Sequence, residues 1–129
     1  MRHVAHAMAL ALAISAAGCA EDWRLRHADE TARLSATAIT EVEHSSGGED
    51  PLLAPFIERA HTRLAQIERA IDQWRNHSGF MSYAVHAPCL RNALLALRDE
   101  LIERHLAVPV DLETAESMLE EVATHACEP

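Results

Sequence analysis

Four stretches of this chain repeat apolar residues at helical spacing, and Gly/Pro punctuation separates them. No stretch alternates apolar and polar residues as a strand would, so the pattern confines the chain to an all-α fold. The first stretch, 22–44, aligns Leu25, Ala28, Ala32, Ile39 and Val42 with Ser35 in the same row, and Ser45-Ser46-Gly47-Gly48 ends it. The second, 54–76, follows an Asp50-Pro51 turn. Its inner row is Leu53, Phe56, Ile57, Ala60, Leu64, Ile67, Ile71 and Trp74, with Pro55 in the first turn and Ser78-Gly79 as the stop. Phe80 to Ala87 reads as a loop packed over the end of the fold, because Pro88 suits the first residue of a helix. The third stretch, 88–106, carries Leu90, Leu94, Leu97 and Leu101, and Val108-Pro109-Val110 breaks it. The fourth, 111–126, takes Asp111 as its N-cap and turns Leu112, Ala115, Leu119, Val122 and Ala126 inward. Four helices with mostly short connections predict an antiparallel up-down-up-down four-helix bundle.

A different kind of segment precedes the first helix. Met1-Arg2-His3 makes a basic start, and Val4 to Ala17 is apolar apart from His6 and Ser15. Such a run, closed by small residues, is a secretory signal. It is too short to cross a bilayer, which takes about 20 apolar residues. Its end, Ala16-Ala17-Gly18-Cys19, resembles the lipobox of bacterial lipoproteins: an aliphatic residue, two small residues and Cys. Ala17, Gly18 and Cys19 match, and Ala16 stands where that family prefers Leu. The resemblance covers residues 1–19 and identifies no family for the rest of the chain. It implies a signal peptide over 1–18 and lipid on the sulfur and amine of Cys19, leaving 19–129 as the mature chain, which the apolar periodicity reads as the four-helix domain. Membrane anchoring through that lipid follows, since stable attachment takes more than one acyl chain. Ala20 occupies the position where Asp would retain such a protein at the inner membrane, which points to the outer membrane facing the periplasm. The other reading of the segment is an ordinary secretory signal cut near Gly18 or Ala20, without lipid.

Charge narrows the partners. The chain has 20 acidic and 11 basic side chains, and every basic one is Arg. A net-acidic domain without clustered cations does not bind nucleic acid, and the absence of Lys excludes a Lys nucleophile or Schiff base. Four glycines leave little for a phosphate loop, and no GxGxxG, P-loop, GxSxG, HExxH or CxxCH occurs. No Ser is positioned beside a His and an acid, so the expectation is a non-enzymatic module that binds another protein, without a cofactor.

Cys89 opens the third helix and Cys127 closes the fourth, which in an antiparallel hairpin is the same end. Cys89 lies 18 residues before Ala107 and Cys127 lies 17 after Val110, so the two reach nearly equal height. A Cys89–Cys127 disulfide is expected in an oxidising compartment. Three cysteines are odd for an exported protein; lipid on Cys19 would leave none over.

Two constellations carry possible chemistry. Arg91, Arg98 and His105 form a row spaced by seven on the third helix, and antiparallel matching sets them against Asp72, Glu68 and His61 on the second. The plain reading is an ion-pair ladder at the rim of the core. The sharper one makes His61 and His105 the candidate ligands of a divalent metal, with Glu41, Glu58 or Glu103 nearby. At the other end His27, His77, His86 and His125 collect, and a haem held between the first and last helices is the alternative to a protein-binding module. Glu113, Glu116 and Glu120 read as a solvated stripe, and Trp23 and Trp74 are expected to be neighbours.

Overall fold

The structure, a computed structural model, describes residues 23–45, 49–77, 79–123 and 125–128, with the first helix beginning ahead of them. The segment 1–18 expected to be a signal peptide and the expected lipidation site Cys19 lie outside the described residues. Four helices follow in order: α1 (Arg2–His44), α2 (Ala54–Asn76), α3 (Phe80–Glu103) and α4 (Val110–Val122). α1 packs against α2 and α4, and α3 packs against the same two, closing an up-down-up-down ring. No strand occurs among the described residues, and none of their helices is long and apolar enough to cross a membrane.

The core is aliphatic. Leu90, Leu94, Leu97 and Leu101 of α3 are buried against Leu64, Ile67 and Ile71 of α2, Ile39 and Val42 of α1, and Leu112 and Leu119 of α4. α1 contributes a face of small and hydroxyl residues: Ala28, Thr31, Ser35 and Ala38 are fully buried. The two hydroxyls satisfy themselves within the helix, Thr31 Oγ1 donating to the His27 carbonyl and Ser35 Oγ to the Thr31 carbonyl, each at 2.7 Å. α1 can therefore approach its neighbours without leaving a buried donor unpaired.

Only α2 keeps both expected ends: α1 begins at Arg2 rather than at 22, α3 ends at Glu103 rather than 106, and the start of α3 and both ends of α4 also move. α3 starts at Phe80, so Phe80 to Ala87 is not a loop and Pro88 sits inside a helix rather than at its first residue. A helix-interior proline lacks the N–H that would bond the carbonyl of Ala84 and costs about 3 kcal/mol. Tyr83 offsets that cost. It is 1 % exposed, and burying a large side chain contributes roughly 1.5–3 kcal/mol. Trp74 packs on both Tyr83 (5.9 Å between ring centroids) and Phe80 (5.4 Å, edge to face), and such aromatic pairs add about 0.5–1.5 kcal/mol each.

α4 moves at both ends. It starts at Val110, with Pro109 at the N-cap position and Asp111 in its first turn rather than capping it, and it ends at Val122, short of Ala126. The Cys89–Cys127 disulfide is present, with a Cα–Cα distance of 4.7 Å. The route to it differs from two helix termini meeting. Cys89 lies nine residues inside α3, and Cys127 lies in the extended tail beyond α4.

At the opposite end α3 stops in a Schellman turn. His105 takes φ 57°, its N–H bonds to the Ile102 carbonyl at 3.0 Å, and the Leu106 N–H reaches back to the Leu101 carbonyl at 2.9 Å. His105 is thus the left-handed residue that ends the helix, a position glycine fills without steric cost. His105→Gly should raise the unfolding free energy by up to about 1 kcal/mol in urea denaturation. A metal ligand at this position would show the reverse, a loss of stability and of bound metal together.

Candidate functional site

The bundle has two unlike ends. The head end holds the start of the described part of α1 at Trp23, the α2–α3 connection and the end of α4; the tail end holds the α1–α2 and α3–α4 connections. α4 has 13 residues and α3 has 24, so α4 stops well short of the head end. The first turns of α3 consequently have no α4 opposite them. A groove of about 310 Å³ fills the shortfall, walled by Trp23 and His27 of α1, Phe80, Met81, Tyr83 and Val85 of α3, and Glu121, Val122 and His125 where α4 gives way to the tail.

The groove is apolar at its floor and charged at its rim. Trp23, Met81 and Val85 remain 60 %, 69 % and 59 % exposed, although a soluble surface rarely gathers large apolar side chains. Trp23 stacks against His27 (5.5 Å between centroids), and the His27 imidazole meets the Glu121 carboxylate at 3.2 Å, joining α1 to α4. The Arg24 guanidinium lies 5.2 Å from the Phe80 ring, a cation–π distance. Tyr83 closes the floor. Its hydroxyl is buried beside Thr31, makes no hydrogen bond of ordinary geometry, and burial pushes the phenol up to about 12. Trp23 and Trp74, expected to be neighbours, lie at the same end of the bundle: Trp23 lines the groove beside His27, and Trp74 packs on Tyr83 and on Phe80, which lines the groove as well.

The expected histidine and carboxylate rungs do not form as drawn. His61 pairs with Glu43 across α1 and α2, while His105 is the exposed helix-ending residue after α3. Among the described residues no group of three or more His, Cys, Asp or Glu gathers to hold a metal ion. Arg91 turns away from Asp72 to α4, where it meets Glu116 at 3.0 Å and Glu120 at 3.7 Å. Glu116 is 8 % exposed, so the acidic stripe of α4 is not uniformly solvated; its middle member is an inward ion pair. Arg98 pairs with its neighbour Asp99, and Arg75, not Arg91, takes up Asp72, together with Asp29 of α1. Ion pairs therefore join α1 to α2, α1 to α4 and α3 to α4, around a core that is otherwise apolar. His27 and His125 do share a wall of the groove, as the haem reading required, with His27 already engaged by Glu121.

The tail end carries the remaining exposed large apolar side chains: Leu52 before α2, Ile102 near the end of α3 and Val110 at the start of α4. Arg104 ties these segments together, bonding Asp50 at 2.9 Å and approaching Glu100 at 3.5 Å. The Asp50 carboxylate also accepts the Leu52 N–H, which fixes the turn into α2. Beside it Val42, Leu106, Val108 and Val110 line a cleft of about 210 Å³.

Sequence reasoning missed Met81 and Val85 as surface-forming residues, and Tyr83 as the buried floor beneath them, because it placed all three in a loop. The signal was present: Phe80, Tyr83, Ala87, Leu90 and Leu94 keep helical spacing straight through Pro88. Comparison of the chain with protein-family models, with curated proteins and with solved structures found no match.

Proposed function

We propose that this protein is a small cell-envelope lipoprotein, anchored through lipid on Cys19 at the outer membrane, whose helical bundle is a non-enzymatic protein-interaction module. One observation carries the interaction reading. The six large apolar side chains left exposed among the described residues divide between the two ends of the bundle, three at each, and the flanks carry ion pairs. Surface of that kind marks contact with something other than water. α2, with 23 residues, separates the ends by about 35 Å, so the tail end stands clear of whatever holds the head. The tail end, with Leu52, Ile102 and Val110, is the end that meets the protein partner.

Ile102→Asp with Val110→Asp tests this. Both side chains are exposed, so stability should change by no more than about 0.5 kcal/mol. Recovery of a partner cross-linked in the native envelope should fall at least about tenfold, the loss of one interface anchor. An undiminished yield would remove the tail end as the docking surface. Intact mass of the protein purified from its membrane reports the acyl groups on Cys19, and an unmodified Cys19 would remove the anchor.

A second reading, a periplasmic metal- or haem-binding bundle, keeps the shared wall of His27 and His125 in its favour. A Soret band or stoichiometric metal in natively purified protein would put it in place of the first.

A further inference from the structure

We infer that the head end of the bundle seats on the bilayer, with Trp23, Met81 and Val85 entering the headgroup boundary of the leaflet that holds the lipid on Cys19. The inference rests on the anchored reading and goes beyond it, because an anchor alone leaves a domain free to swing. Chain length supplies the first argument. Only three residues separate Cys19 from Trp23, so the two are four residue steps apart. Even fully extended these steps reach about 14 Å, roughly half the thickness of the hydrocarbon core. The start of α1 therefore stays close to the boundary whatever the intervening residues do.

The surface held there is the second argument. Trp23, Met81 and Val85 are exposed at that end of the bundle and line one groove. Trp is the side chain most at home where headgroups meet acyl chains, its ring amphipathic enough for both. Arg24 lies exposed beside them over the Phe80 ring, placed to meet a lipid phosphate. Among the described residues that line the groove the one acid, Glu121, is engaged by His27. A formal net charge of −9 opposes an anionic surface, so apolar contact and the phosphate of a zwitterionic lipid carry the seating. Leu52, Ile102 and Val110 lie at the opposite end and cannot share this contact.

The test uses natively acylated protein, its acyl mass verified, in phosphatidylcholine vesicles whose acyl chains carry bromine at shallow or deep positions. Trp23→Phe, at an exposed site, isolates the Trp23 signal by difference from the half-buried Trp74. Trp23 emission should shift to the blue, lose its quenching by acrylamide, and be quenched more by shallow than by deep bromines. Met81→Asp with Val85→Asp should reverse all three while the protein stays in the vesicle fraction. An acylated protein whose Trp23 stays open to acrylamide and untouched by bromine overturns the seating alone. A Cys19 without acyl mass overturns the anchor and the seating with it.

Discussion

Replacing Cys89 and Cys127 together by Ser should lower the unfolding free energy by about 2–4 kcal/mol. The bond closes 38 residues of chain, for which loop-closure entropy gives about 4 kcal/mol as an upper expectation. The effect is large for this fold because α4 is its weakest member. It has 13 residues, and only Leu112, Ala115, Glu116 and Leu119 of them are buried. Against a marginal total of about 5–15 kcal/mol for a domain, this bond is a substantial share. Urea denaturation of the oxidised protein and the double variant measures it, with both cysteines changed so that no lone thiol remains. A loss below about 1 kcal/mol would mean that the Leu112 and Leu119 packing, with Arg91 on Glu116, holds α4 unaided. His125, two residues before Cys127, should lose its place in the groove wall in the same variant.

Tyr83 should separate sharply by substitution. Tyr83→Ala removes a ring that is 1 % exposed and that Trp74 packs on, and should cost about 3–5 kcal/mol. Tyr83→Phe keeps the ring and deletes a hydroxyl that makes no hydrogen bond of ordinary geometry, and should be neutral or stabilising. The contrast tests the account of α3, in which ring burial sustains a helix through Pro88. If Tyr83→Ala costs no more than a surface change, something else carries the helix past the proline. The phenol gives a second readout, because this is the one tyrosine of the chain. Its ordinary value is about 10, and burial raises it to about 12 in the fold. Folding favours the neutral phenol, so the stability linked to it is intact below about pH 10 and drains away as pH rises towards about 12. Phenolate absorbance of the folded protein should therefore appear about two units later than in urea. A native midpoint near the ordinary value would show that the ring is not buried.

The outline of the fold was legible because its signals are local. The α2 period and its Pro55 and Gly79 flanks place it at 54–76, where it lies, and the four apolar rows give the bundle class. The cysteine pairing was legible too, although the arithmetic behind it assumed helix ends that the fold does not have. Phe80 to Ala87 was misread for a definable reason. Pro88 next to a Gly79 stop is a strong local start signal, and a tertiary contact, Tyr83 under Trp74, overrides it. The partners of Arg91 and His61 were not legible. Height along antiparallel helices is readable from counting, but rotation about each axis is not, and rotation decides that Arg91 meets Glu116 and His61 meets Glu43. The groove was illegible for the same kind of reason. It is a difference between two helix lengths, not a motif.

α4 leaves its axis at Ala123 although its apolar row runs on to Ala126 and neither Gly nor Pro stands between them. From Val110 to Val122 it climbs about 20 Å, level with Cys89 on the facing helix, and the non-helical tail beyond it carries Cys127 to that bond. The cysteine pair is therefore a landmark outside the groove: it joins the third helix to the tail at the height where the fourth helix has ended, and the turns of the third helix beyond it are the ones left bare.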